Sequence, residues 1–385
     1  MRDVPVAGRA PAPDLARGAA LLLIAVANAH TFITHRGIGV RTYPLDLTGV
    51  DAVLAAAQLT LVDGRAYPLF ALLFGYGVAR LARRAAAAGA GPDAVLALVR
   101  RRGGALLAVG TAHAVLLWHG DFVAAYGLLA VALAPLLVRG SAAALVATGT
   151  AATTVLALLY SPVALTRETT ASASPSLLAP DPWSAAVDRF GEWLFGNLLV
   201  SAVGLAGAAL AGVLLARAGW LDDPARHRRA LRWTAALGVG AGVAGGLPLG
   251  LVAAGVWTPS VPAALVAGVL HAVSGYAAGA GYAAFAALVV ARAAPDGRVT
   301  GALVALGRRS LSGYLAQSVV FVALFPAWTL GLGAGLPLWA ATAAGAGVWA
   351  ATVAAAVLAQ RHGRRGPAEV LLRRLTYGRA PAATG

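Results

Sequence analysis

The chain has 385 residues, of which 59% are hydrophobic and only 12% charged, with no cysteine and a net charge of +15. Ordinary soluble domains are about 25% charged, and no soluble core could hide this much apolar surface. A soluble enzyme, a secreted disulfide scaffold and a disordered tail are excluded, and without cysteine there is no thiol nucleophile or thiolate metal site. A membrane-crossing helix takes about 20 apolar residues, so the chain reads as an all-α, polytopic integral membrane protein with about ten transmembrane helices.

Apolar runs separated by Arg-rich or Pro/Gly-rich breaks fall at residues 19–33, 64–81, 104–118, 122–138 and 142–160, and then at 193–216, 233–255, 261–290, 302–325 and 336–358. They are too long for strands and lack the alternation of a membrane barrel. Between the first two runs, Val50, Val53, Leu54, Ala57 and Leu61 recur at helical spacing, which predicts an amphipathic helix lying on the outer surface. Residues 165–182 form a Ser/Thr/Pro-rich outer loop. Residues 361–379 carry Val370, Leu371, Leu372 and Leu375 among arginines, which predicts a cytoplasmic interfacial helix at the end of the chain.

All 30 basic residues are arginine. With the N-terminus inside, 25 of them fall on the cytoplasmic side and five outside, at Arg36, Arg41, Arg65, Arg167 and Arg189. That asymmetry predicts an N-in, C-in topology, and it explains the positive charge by anionic lipid rather than nucleic acid. The stretch from Arg17 to Ala29 has the outline of a signal peptide, but the charge split is best with this helix retained. Alanine, glycine and arginine in excess with no lysine suit a GC-rich bacterial genome, and the expected location is the plasma membrane. The whole chain, 1–385, is expected to be one membrane domain. No internal repeat of the kind that builds many transporters is visible.

Nucleotide and hydrolase signatures fail on context. Residues 240–245 match a dinucleotide-binding glycine pattern but sit inside an apolar run with no preceding strand; their glycines, like the Gly275 and Gly279 pair, are expected to serve close helix packing. Neither a zinc-protease HExxH nor a GxSxG elbow occurs, and no metal site is expected. What remains is a set of polar residues in or beside the apolar runs, each costing about 2.5–3.5 kcal/mol or more if charged in hydrocarbon. Asp14 and Arg17 open the first run at i, i+3 and can pair. Asn28 lies toward mid-depth and His30 on another face. Asp63 and Arg65 flank the second run, as a surface ion pair or as substrate ligands. His113 closes the third run; His119 and Asp121 occupy the short turn after it; His271 lies about ten residues into the eighth; Gln317 is at mid-depth in the ninth. With His35, these outer-half residues suggest one polar cavity opening outward, in which a carboxylate beside a histidine makes a general base. Each also has a structural reading as interhelical hydrogen bonding.

Five stretches occur in order. They are Asp14-Leu15-Ala16-Arg17-Gly18 with Asn28; Asp63-Gly64-Arg65 running into Leu73-Phe74-Gly75-Tyr76-Gly77; His113 with Trp118-His119-Gly120-Asp121 and Tyr126; Gly307-Arg308-Arg309-Ser310 through Tyr314 and Gln317-Ser318; and Gly366-Pro367-Ala368-Glu369 with Tyr377-Gly378. As a set they resemble the YeiB-type membrane proteins, the domain-of-unknown-function family 418, with a family-like C-terminal region at about 215–380. Phe122-Val123 and Gly313 depart from that pattern. The family is similar to membrane acyltransferases of the heparan-α-glucosaminide N-acetyltransferase kind. The resemblance implies acyl transfer from cytoplasmic acyl-CoA, as a donor substrate rather than a bound cofactor, to a hydroxyl or amine acceptor outside.

On that reading the catalytic candidates are His113 with Asp121, then His119, then His271. The substrate-binding candidates are Asp14, Arg17, Asn28, Asp63, Arg65, Tyr314 and Gln317. Asn28 or Gln317 would serve an oxyanion, and CoA phosphates would fall to Arg100, Arg101 and Arg102, to the arginines from Arg226 to Arg232, or to Arg308 and Arg309. Export of a small polar molecule and a non-catalytic envelope scaffold use the same residues and stay open. The partners expected are the lipid bilayer and those two substrates.

Overall fold

The computed structural model describes residues 10–167, 174–292 and 297–378. Among them the secondary structure is helical. The first half contains α1 Pro11–Ala29, α2 Gly49–Leu61, α3 Ala66–Ala87, α4 Pro92–Leu116, α5 Val123–Ala132, α6 Ala134–Arg139, α7 Ala142–Tyr160 and α8 Pro182–Gly191. The second half contains α9 Leu198–Ala218, α10 Arg228–Ala253, α11 Val261–Arg292, α12 Arg298–Gly307, α13 Ser310–Leu324, α14 Leu338–Arg361 and α15 Pro367–Tyr377. Among the described residues, six stretches are long and apolar enough to cross a membrane: Pro11–Phe32, Ala142–Leu165, Pro182–Ala218, Arg228–Ala253, Val261–Arg292 and Leu338–Arg361.

Each of the ten apolar runs lies on helix, but two are broken. Residues 122–138 divide into α5 and α6, because Pro135 in the first turn of α6 has no N–H to continue the α5 ladder. Residues 302–325 divide into α12 and α13 at Arg308 and Arg309. There Glu369 of α15 caps the new start: its carboxylate accepts from the Leu311 and Ser312 backbone N–H groups at 2.8 and 3.2 Å and from the Ser312 hydroxyl at 2.5 Å. The orphan donors of α13 are thereby satisfied by a charge from outside the helix. The expected outer loop at 165–182 falls partly outside the described residues; its end is a short turn, Pro175–Leu177.

Burial follows membrane rules. The interior is dominated by alanine and glycine, while Val146, Leu158, Leu199, Trp233, Leu237, Phe285 and Trp339 point outward and are exposed. Lipid tails are as apolar as leucine, so helices gain nothing by hiding leucine from them and gain instead by close backbone approach. The glycine-rich stretch of α10 serves this end. A Cβ on Gly242 would meet the Ala278 Cβ of α11 at 2.6 Å, and one on Gly245 would meet Ser274. On α3, a Cβ at Gly75 would overlap the Ala209 carbonyl of α9.

The chain between α1 and α2 is ordered by polar ties rather than by helix. His35, Arg41 and Thr42 have positive φ, +63°, +50° and +68°, a region that costs non-glycine residues about 1–2 kcal/mol each. Arg36 pairs with Asp46 at 2.7 Å, and α2 in turn supplies Asp51, whose carboxylate accepts from the Leu338 and Trp339 N–H groups at the start of α14 at 3.0 and 2.8 Å.

Replacing Gly75 with Val should lower the midpoint of thermal unfolding in detergent, at a cost of about 1–3 kcal/mol from overpacking. The control is Gly104→Ala in α4, where an added Cβ meets nothing within 4 Å. That variant should hold or raise the midpoint.

Candidate functional site

The turn after α4 brings one histidine and one carboxylate together. Asp121 sits just before α5, where Oδ1 accepts from the Ala124 N–H at 2.6 Å, so the first turn of α5 fixes the carboxylate. Its Oδ2 lies 2.7 Å from His113 Nδ1. The ring's other nitrogen, Nε2, lies 2.8 Å from the Ser318 hydroxyl on α13. An ionised carboxylate only accepts, so Nδ1 carries the proton and Nε2 accepts from the Ser318 O–H. The result is a continuous Asp–His–Ser chain, with relative exposures of 0%, 3% and 3% in that order. Gly110 makes the approach possible, since a Cβ there would collide with Ala124 and Asp121.

Tyr314, one turn before Ser318, packs its ring 4.9 Å from that of His113. Gln317 donates to the Leu21 carbonyl of α1 at 3.4 Å, and its Oε1 is buried with no hydrogen-bond partner among the described residues. Leu21, Leu106, Val123, Leu306 and Tyr314 belong to one buried apolar cluster.

His119 makes a separate set of contacts. Its Nδ1 is 2.9 Å from Glu192 Oε2, its Nε2 is 3.4 Å from the Ser174 hydroxyl, and its ring leans on Trp118. Glu192 opens a π-helical turn that ends at Asn197, and the wide turn brings both residues to the same loop. Asn197 donates to the backbone carbonyls of His119 and Asp121 at 3.1 and 3.0 Å, clamping the turn that carries both.

The remaining candidates lie elsewhere. His271 does not join His113: it lies against Arg65, whose Nη1 is 2.9 Å from His271 Nδ1. Arg65 is fully buried and also donates to the Asp63 and Gly242 carbonyls at 2.7 and 2.9 Å. Asp63 and Arg65 do not pair through their side chains; the Asp63 carboxylate takes Arg41 instead, at 2.6 Å. His30 stacks on Tyr43 with ring centroids 3.9 Å apart and contacts the Arg41 carbonyl. The single outward cavity expected from the sequence is therefore at least two separate polar groups.

On the Arg-rich side, Asp14 and Arg17 pair at 3.2 Å, with Arg308 at 3.7 Å from the same carboxylate. Arg17 also donates to the Leu73 carbonyl of α3 at 3.0 Å. Asn28 is half-buried, and its side chain makes no hydrogen bond among the described residues.

Ser318, Glu192, Asn197 and Arg41 were not singled out as site residues from the sequence. Ser318 does stand beside Gln317 in the fourth of the five stretches, but its partner on α4 is 205 positions away, a separation no local spacing reveals. Among known proteins, the model of a family described as a protein of unknown function (DUF418) matches residues 215–379. That match runs from the end of α9 past α15, a stretch that contains Ser318 and Glu369. No curated protein matches the chain.

Burial pushes the Asp63 carboxyl up, but the Arg41 guanidinium outweighs it and holds the group at about 2, below its ordinary 3.8. A carboxyl lowered in the folded state stabilises fully above its unfolded value and loses that contribution as pH falls through the folded one. Thermal unfolding in detergent should therefore be insensitive to this pair above about pH 4 and lose its contribution between about pH 4 and 2. Asp63→Asn should be less stable at neutral pH and show a smaller drop across that window.

Proposed function

We propose that the protein is a plasma-membrane acyltransferase in which Ser318 carries the acyl group between a cytoplasmic acyl-CoA and an acceptor at the outer face. The observation that carries this reading is the buried Asp121–His113–Ser318 chain. A hydroxyl is a weak nucleophile until a base takes its proton, and the base works only in the right tautomer and orientation. His113 has a carboxylate on one nitrogen and the hydroxyl on the other, which meets both conditions. The placement in this reading takes the ten apolar runs as crossings with both ends of the chain cytoplasmic, which the arginine asymmetry favours, and puts α15 on the inner surface.

In the first half-reaction, the Ser318 oxygen attacks the thioester carbonyl and the carbon–sulfur bond breaks. The Ser318 proton passes to His113 Nε2 and then to the leaving thiolate, which departs as the thiol. In the second, an acceptor hydroxyl or amine attacks the Ser318 ester and the bond from the acyl carbon to the serine oxygen breaks. The acceptor's proton passes through His113 back to that oxygen. Asp121 remains ionised, holds the Nδ1 proton and stabilises the imidazolium formed in both steps. The Gln317 amide, one residue from Ser318, would donate to the developing oxyanion; it would have to leave its long bond to Leu21 to serve.

The test uses sealed vesicles containing the full chain, with acyl-CoA labelled in the acyl group supplied on the Arg-rich face. Label should appear on the protein and then on outer-side acceptors or as free acid. Ser318→Ala and His113→Ala should remove it, with insertion and detergent melting retained. Asp121→Asn should slow labelling by about 10⁴-fold through loss of the correct tautomer. Undiminished labelling in both the Ser318 and His113 variants would overturn the assignment.

A further inference from the structure

The inner end of α3 carries Arg80, Arg83 and Arg84, spaced so that all three share one helix face. With Ala87 and with Asp222 from the α9–α10 loop, they line an open cavity of about 290 Å³. Asp222 arranges the arginines rather than neutralising them. Its two oxygens take Arg80 at 2.9 Å and Arg83 at 3.2 Å, and the first also accepts from the Tyr76 hydroxyl at 2.5 Å. Arg83 is further fixed by donating to the Ala216 carbonyl at 2.7 Å, and Arg80 lies 5.9 Å from the centre of the Tyr76 ring. Three guanidiniums against one carboxylate leave the lining with a formal charge of +2.

We propose that this cavity is an anion site for a phosphate-bearing ligand on the cytoplasmic side. Guanidinium forks match phosphate oxygens two at a time, and two of the three forks are already held by Asp222, so little side-chain freedom is lost on binding. The arginines first suggested for this task are engaged differently where their contacts are defined. Arg309 donates to the carbonyls of Arg364 and Ala305, and Arg308 faces Asp14.

The phosphate can belong to a soluble ester or to a lipid headgroup. A soluble donor also suits the geometry. Leu73, whose carbonyl holds Arg17, precedes Arg80 by seven residues, about 10 Å along α3. The cavity and the Asp14–Arg17–Arg308 group therefore follow one another along the same helix. That the ligand is the acyl donor rests on the acyl-transfer reading; the anion site does not.

The experiment is calorimetric titration of the full chain in phosphatidylcholine nanodiscs with coenzyme A and, separately, inorganic pyrophosphate. A parallel arm measures enrichment of labelled phosphatidylglycerol around the protein in mixed discs. The test variant is Arg83→Gln with Arg84→Gln; the control is Arg361→Gln with Arg364→Gln, an exposed pair that removes equal charge. Coenzyme A binding that competes with pyrophosphate and weakens at least tenfold in the test variant alone identifies a soluble phosphate ester. Phosphatidylglycerol enrichment lost in the test variant alone, with no coenzyme A or pyrophosphate binding, identifies the headgroup. Absence of all three, or equal losses in test and control, overturns the site. Ser318→Ala should still bind in these assays, so a protein that binds without transferring acyl groups would sink the catalytic reading and leave this one standing.

Discussion

A polar side chain in hydrocarbon has no water to return to, so it must find its partner on another helix or not be there at all. That constraint governs where this molecule's helices meet. His113 is bound on both ring nitrogens, and its two partners come from the turn before α5 and from α13. Arg65 spends its guanidinium on α10, α11 and its own turn. Gln58 of α2 accepts from the Tyr43 hydroxyl and donates to Thr342 of α14. Each such group selects one mutual placement of helices out of the many that apolar packing alone would tolerate, and small residues at the contacts let the backbones come close enough to make it.

The same constraint separates chemistry from scaffolding. Arg65 and Asp63 are consumed by fixed partners and tie the start of α3 to α10, α11 and the α1–α2 connection. The Asp121–His113–Ser318 chain differs in kind: it ends on a hydroxyl, a group whose proton its neighbour is oriented to accept. Beside it Gln317 keeps an unsatisfied carbonyl oxygen, and above it Glu192 and His119 reach partly exposed positions with side-chain exposures of 15% and 18%.

Composition and periodicity made the helical membrane class, the rough positions of the apolar runs and the α2 helix legible, because hydrocarbon imposes length and hydrophobicity directly on sequence. The nearness of His113 and Asp121 was legible too, since eight residues across a short turn leave few alternatives. Ser318 was not, because its contact depends on how α13 packs against α4. The pairing of Asp63 with Arg41 rather than Arg65 was hidden for a related reason: it depends on a loop held in left-handed backbone conformations. The breaks within the fourth and ninth runs were marked by Pro135 and by Arg308 with Arg309, but hydropathy averaged over a window passes over a single residue or a pair.

The cap that Glu369 places on α13 makes that helix an indexed shaft. Its angular setting is fixed at its first turn by a carboxylate seated on the Leu311 and Ser312 amides, while the Ser318 hydroxyl lies six to seven residues further along. One residue of slippage at the cap turns an α-helix by about 100°, enough to carry Ser318 wholly off the imidazole. The register of α15 against α13 thus sets the phase of a buried side chain that reaches α4.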